Sequence, residues 1–174
     1  WLSTAEAAKA VLSNAAMVTV IADRESDIYA QWARLPAPGF HLLTRVQKDR
    51  RLHKEGMLYA FGANLPVAGT RLLELRARPG WPKREARLML RFGQVALRRS
   101  DDFGARSLPD SVRLSYVEVV EQQPPSDSEP LHWRLLTTHP LSDAKSAWQI
   151  VDWYAQRWMI EQLFRVMKLQ GFKI

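Results

Sequence analysis

Apolar residues recur at helical spacing in the opening segment. Ala7, Ala8, Val11 and Leu12 share one face, and Ser3 or Thr4 can cap it, which predicts a helix over 3–15. The period then shortens. Met17 to Ala22 is a continuous apolar run with β-branched residues, as expected of a strand buried on both faces. Asp23 ends it, Ser26 or Asp27 opens a second helix to about Leu35, and PAPG stops that helix. Phe40 to Val46 reads as another strand. Helix, strand, helix, strand at this spacing predicts an α/β layer with neighbouring parallel strands.

From about residue 48 to 130 the pattern alternates. A short helical piece near Leu58–Ala63 comes first. TRLLELRAR, ARLMLRFGQVALRR and SVRLSYVEVVEQ follow, each apolar at every second position, and they are separated by PGWPKRE and DDFGARSLPD. They predict antiparallel strands with one wet face. EQQPPSDSEP is a polar, Pro-rich connector, and Leu131–Thr138 is a last strand. Residues 142–168 read as one long helix with Ser142 as N-cap and Asp143 in its first turn. Ile150, Val151, Ile160, Leu163 and Met167 offer that helix a core-facing side.

The other side of this helix carries the densest chemistry in the chain. Tyr154, Arg157, Glu161 and Lys168 stand at offsets 0, 3, 7 and 14. At about 100° per residue they fall within an arc of roughly 60°. A phenol, a guanidinium and an ammonium around one carboxylate suit a protein that grips a phosphodiester strand beside a metal. Arg157 and Glu161 also have the spacing of an ordinary surface ion pair. Asp23, at the C-terminal end of a buried strand, is placed either as a metal ligand in a sheet crevice or as a cap paired with Arg24.

Composition narrows the classes. The chain has 174 residues, no Cys and a net charge of +7. It can bury one sizeable core or a core plus a subdomain. Disulfides, thiolate metal sites and Cys nucleophiles are excluded, which fits a reducing cytoplasm. No apolar run reaches membrane-spanning length, and nothing reads as a signal peptide. His41, His53, His132 and His139 lack zinc-like spacing and read as surface or strand residues. The positive charge is concentrated: residues 70–106 hold 10 Lys or Arg against 4 Asp or Glu. That suits a polyanionic partner, and equally a β-surface kept soluble by arginine. The first residue is Trp and the last, Ile174, falls in mid-pattern, so the chain reads as a fragment.

The spacing Y-(2)-R-(3)-E-(6)-K resembles the signature of bacterial insertion-sequence DDE transposases, which cut and paste DNA with a ribonuclease-H-like catalytic domain. MVTVIADRESDIYAQW resembles the family's strand bearing the second catalytic aspartate, and PLHWRLLTTHP the strand before the signature helix. The three stand in the family's order and span nearly the whole chain. The resemblance implies an α/β fold: a partial ribonuclease-H-like core, its first strands missing, with an antiparallel β-rich insertion. It divides the chain into a first core part (1–47), the insertion (48–130), and a core strand with the signature helix (131–174). The 137 residues between Asp23 and Glu161 match the subgroup with such an insertion.

By the same resemblance Asp23 and Glu161 are catalytic carboxylates and metal ligands, and the cofactor is Mg²⁺ or Mn²⁺. The reaction is two-metal-ion hydrolysis and strand transfer at double-stranded transposon ends. Tyr154, Arg157 and Lys168 contact end phosphates, Trp133 stacks on a flipped base or is a packed strand residue, and Arg45 is a looser DNA-contact match. The full-length protein is expected to be a homodimer. The first carboxylate and its strand are missing, so the chain is expected to be inactive alone. The rival readings are a non-catalytic DNA-binding remnant of a transposase and a ribonuclease-H-like nuclease.

Overall fold

The structure is a computed structural model that describes residues 2–75, 83–101, 106–126, 129–169 and 171. Its centre is one six-stranded mixed sheet: β1 (Val18–Ala22), β2 (Phe40–Arg45), β3 (Gly69–Leu75), β4 (Arg84–Arg98), β5 (Ser111–Gln122) and β6 (His132–Thr137). Their spatial order is β1-β2-β6-β5-β4-β3. β1 and β2 run parallel, as helix–strand alternation requires, and every other pairing is antiparallel. The alternating runs do form β3, β4 and β5, and SVRLSYVEVVEQ is β5 residue for residue. Arg76–Arg78 of the first run, and most of PGWPKRE, lie outside the described residues.

Helices cover both faces. α1 (Leu2–Val11), α2 (Tyr29–Arg34) and α3 (Leu58–Asn64) pack Ala5, Tyr29, Trp32, Leu35 and Leu58 onto Phe40, Leu42, Val95, Leu97, Leu114, Tyr116 and Leu136. α4 (Ala144–Gln156) lays Ala147, Ile150, Val151 and Tyr154 on the other face, against Leu43, Leu90, Val117, Val119 and Leu135. This two-sided cover explains β4. Its buried positions are Ala86, Leu88 and Leu90 under α4, then the parity switches to Val95 and Leu97 under the other helices. A single strand thus serves two cores in succession. β5 crosses the overlap, and residues 114–119 are buried without a break. The expectation of one wet face therefore fails for β5. α3 comes down on β5 closely enough that a Cβ at Gly62 would lie 2.5 Å from the Tyr116 hydroxyl.

Several other expectations are corrected. α1 stops at Val11, and Val11 is 82% exposed; of this helix Ala5 is buried in the core and Leu2 packs partly buried against it. β1 is half-buried along most of its length, since it pairs only with β2 among the described residues. A three-residue 3₁₀ turn, Arg24–Ser26, precedes α2, which starts at Tyr29. The N-cap of α4 is Asp143, not Ser142: its carboxylate accepts from Ser146 N–H at 2.7 Å, while Ser146 Oγ accepts from Asp143 N–H in return.

The long C-terminal helix is two. α4 ends at Gln156 and α5 runs Trp158–Leu169, with Arg157 between them. Arg157 keeps helical angles, but its N–H bonds to the Tyr154 carbonyl, and Ile160 N–H bonds to the Arg157 carbonyl, both one residue short of the α spacing. The cores end with α4. Ile160 and Leu163 are 53% and 56% exposed, so two residues read as core are not. No helix among the described residues is long and apolar enough to cross a membrane.

Candidate active site

Asp23 is the first residue after β1, where the strand stops and its side chain can turn outward. It caps the 3₁₀ turn, its Oδ1 accepting from Arg24 N–H at 2.8 Å. The local reading of this residue as a cap is therefore correct. It is also incomplete, because the Tyr154 hydroxyl donates to the same oxygen at 3.2 Å and Arg157 Nη2 lies 3.2 Å from Oδ2. Tyr154 stands in the last turn of α4 and Arg157 is its C-cap, so the end of the helix spanning the sheet is pinned to the end of its edge strand.

Burial opposes the charge on Asp23. The Arg24 N–H, the Arg157 guanidinium, the Tyr154 hydroxyl and the Arg45 charge outweigh it, and the carboxyl is held below the usual aspartate value. Burial, then the Asp23 charge, pushes the Tyr154 phenol the other way, so it stays protonated and donates. Arg45 ends β2 beside Asp23, and its Nη2 donates to the His132 carbonyl at 3.2 Å. Trp133 on β6 meets Tyr154 edge to face, ring centroids 5.1 Å apart. Asp23, Arg45, Trp133, Tyr154 and Arg157 thus gather at one end of the sheet. Lys168, exposed in the last turn of α5, makes no contact with them among the described residues. Glu161 stands on α5, and its side chain lies outside the described residues.

Two features have no counterpart in sequence reasoning. Asp27 is buried, and its carboxylate accepts from Gln47 N–H at 2.9 Å and Arg50 Nε at 2.8 Å, while Arg50 Nη2 also bonds the Asp27 carbonyl. This clasp ties the loop that follows Asp23 to the loop that follows Arg45. Glu118, in mid-β5, is buried against His132 Nε2 at 2.7 Å and Arg134 Nε at 2.9 Å on β6. His139 is also buried. It stacks on His41 at 3.8 Å, and its Nε2 lies 2.8 Å from Thr19 Oγ1, so it is neither a surface nor a strand residue.

An ionised aspartate thus stands among Tyr154, Arg157 and Arg45 at the C-terminal end of the parallel strands. Residues 3–174 match the family described as Transposase DDE domain. The chain belongs to that family. Members are transposases, a DNA-cleaving enzyme class that generally uses divalent metals, and their substrate is DNA. In this transposase domain the chemistry of Asp23 fits one metal ligand: a hard, charged oxygen with its side chain 42% exposed. Among the described residues no group of three acids or histidines could hold a metal.

Proposed function

We propose that the Asp23 site is one part of the two-metal catalytic centre of a cut-and-paste DNA transposase with a ribonuclease-H-like core, and that Tyr154, Arg157, Glu161 and Lys168 are its signature residues. The observation that supports this reading is the meeting of Asp23 with Tyr154 and Arg157. Tyr154 stands 131 residues away in sequence, and these partners are the ones the Y-(2)-R-(3)-E-(6)-K spacing singles out. In this reading Asp23 and Glu161 would hold Mg²⁺ or Mn²⁺, which supplies a Lewis acid and an activated water or 3′-hydroxyl for phosphodiester hydrolysis and strand transfer.

The protein's own residues carry the rest. The Arg24 N–H, the Arg157 guanidinium, the Tyr154 hydroxyl and the Arg45 charge hold the Asp23 carboxyl below its usual value, so it is an ionised oxygen donor at neutral pH. Tyr154 donates to one carboxylate oxygen and fixes its direction. Arg157, Arg45 and Lys168 present charge to the phosphates of a double-stranded transposon end, with Arg157 able to fork onto two oxygens. Trp133, partly buried against the core beside Tyr154, would supply the ring on which an extruded base stacks. The division into core (1–47 and 131–174) and β-rich insertion (48–130) belongs to this reading, as does a homodimer of the full-length protein. Its strands share the core's sheet through the β5–β6 ladder.

The test is Mg²⁺-dependent nicking of a duplex carrying the element's ends by the intact transposase. Asp23→Asn and Glu161→Gln should each abolish it with the fold retained. Undiminished nicking by Asp23→Asn would place the active site elsewhere.

A further inference from the structure

α4 covers only part of its face of the sheet. Beyond it β4 and β5 continue as a ribbon, and a third segment pairs alongside. Leu52 faces Leu97, Arg98 N–H bonds the Arg51 carbonyl at 3.0 Å, and His53 N–H bonds the Ala96 carbonyl at 2.8 Å. This register sets Arg51 opposite Arg98 and His53 opposite Ala96. Across β4, Ala96 faces Arg113, Arg98 faces Ser111 and Gln94 faces Ser115. Residues paired directly across a sheet share a face. Leu52 and Leu97 turn into the core under α1–α3, so Arg51, His53, Arg98 and Arg113 turn to the side that α4 leaves open. All four are exposed, with Gln94 beside them.

None of these positions is acidic. Asp101 approaches Arg98 only from the loop beyond, at 3.5 Å, with both side chains about half or more exposed. Like charges directly opposite on a sheet destabilise it. The patch is also held in shape: Arg99 next to it is fixed by the Arg106 and Leu108 carbonyls and by Asp110. Three guanidiniums from three chain segments, on a backbone already ordered, form a surface that an array of phosphates would neutralise.

We propose that this ribbon face, built on Arg51, Arg98 and Arg113, is a second contact surface for the phosphate backbone of duplex DNA, separate from the Asp23 site. It rests on the DNA-processing reading above. The contact is to phosphates, so it carries no sequence preference.

The test is fluorescence anisotropy of this chain with a labelled duplex of about 20 bp and arbitrary sequence, across a salt series. Three variants are compared with the unaltered chain: the triple variant Arg51→Gln, Arg98→Gln, Arg113→Gln; a charge-matched control, Arg34→Gln, Lys83→Gln, Arg87→Gln; and Arg157→Gln with Lys168→Gln. The ribbon variant should lose about tenfold or more in affinity at low salt, with a salt slope shallower by about 2–3, at roughly 0.9 per phosphate contact. Its melting temperature should rise slightly, because opposed like charges are removed. If it binds as the control does while the Arg157/Lys168 variant weakens, the ribbon proposal is overturned and the Asp23 reading stands. If the unaltered chain binds no duplex at any salt, both fall.

Discussion

Glu118 and Asp23 are two carboxylates held below their usual proton affinity by neighbouring hydrogen-bond donors and charges, and they are held in opposite ways. Glu118 sits in the middle of β5 with its side chain 4% exposed, and its partners His132 and Arg134 project from the neighbouring strand. Burial opposes its charge, and the His132 hydrogen bond and the Arg134 charge overcome it. Asp23 ends an edge strand with its side chain 42% exposed, and its partners Tyr154 and Arg157 come from the end of a helix packed across the sheet. The first acid is enclosed by the ladder that made its neighbours adjacent. The second is assembled from distant elements and left open to water. An enclosed acid contributes to the fold; an open one, with donors preset around it, is available to a ligand.

The comparison can be broken most decisively at Glu118. Glu118→Gln should cost about 2–3 kcal/mol in denaturant unfolding, the low side for a severed buried pair because His132 and Arg134 keep some hydration. A loss under about 0.5 kcal/mol would mean that the enclosed acid is not structural. DNA binding should be little changed in the same protein.

His139 sharpens the contrast from the side of a buried group with no counter-charge. Burial, then the nearby His41, pushes its pKa down from the usual 6.5 to about 4. The unfolded chain therefore binds a proton that the folded chain refuses between those values. Stability should be full above about pH 6.5 and fall as pH drops towards 4, by roughly 3 kcal/mol in all. Melting temperatures across that window report it, and His139→Gln should flatten the slope. An unchanged slope would assign the pH dependence to other groups.

Smaller effects belong to the open site. Tyr154→Phe removes one hydrogen bond to a half-exposed carboxylate and should cost about 0.5–1 kcal/mol. Asp23→Asn should shift stability least, by under about 1 kcal/mol, since partly exposed ion pairs contribute little. It should also bind duplex DNA at least as tightly as the unaltered chain, because it removes a negative charge beside Arg157 and Arg45. Weaker binding by Asp23→Asn would mean that the carboxylate orders the DNA-contacting side chains.

The asymmetry between the two acids also explains what could be read from the residues in order. The positions of Asp23, Tyr154 and Arg157 at the ends of regular elements are legible, because a strand end and a helical offset are both one-dimensional signals. β5 was legible to the residue because alternation is local. Glu118 was invisible as a partner of Arg134, since that pairing depends on the register across the connector between β5 and β6. The Asp27–Arg50 clasp depends likewise on two loops meeting after parallel strands. The unbroken burial of residues 114–119 required knowing that helices cover both faces. The break at Arg157 carries no Gly or Pro, so nothing in the run YAQRWMIEQLFRVMK marks it. Ile160 and Leu163 failed as core residues for the same reason: helical periodicity says which residues share a side, not whether the sheet extends beneath them.

That break has a consequence for the exchange of backbone hydrogens with solvent. α4 is clamped at both ends, by its capping box and by the Tyr154 and Arg157 contacts to Asp23, with Ile150 and Val151 between them in the core. α5 starts after a tightened turn, and Met159, Ile160, Leu163, Phe164, Val166 and Leu169 all face solvent. A helix of 12 residues with so little packing is marginal in water. Amide protons should therefore persist in α4 until the domain opens as a whole and vanish early in α5, with protection dropping within one turn of Arg157.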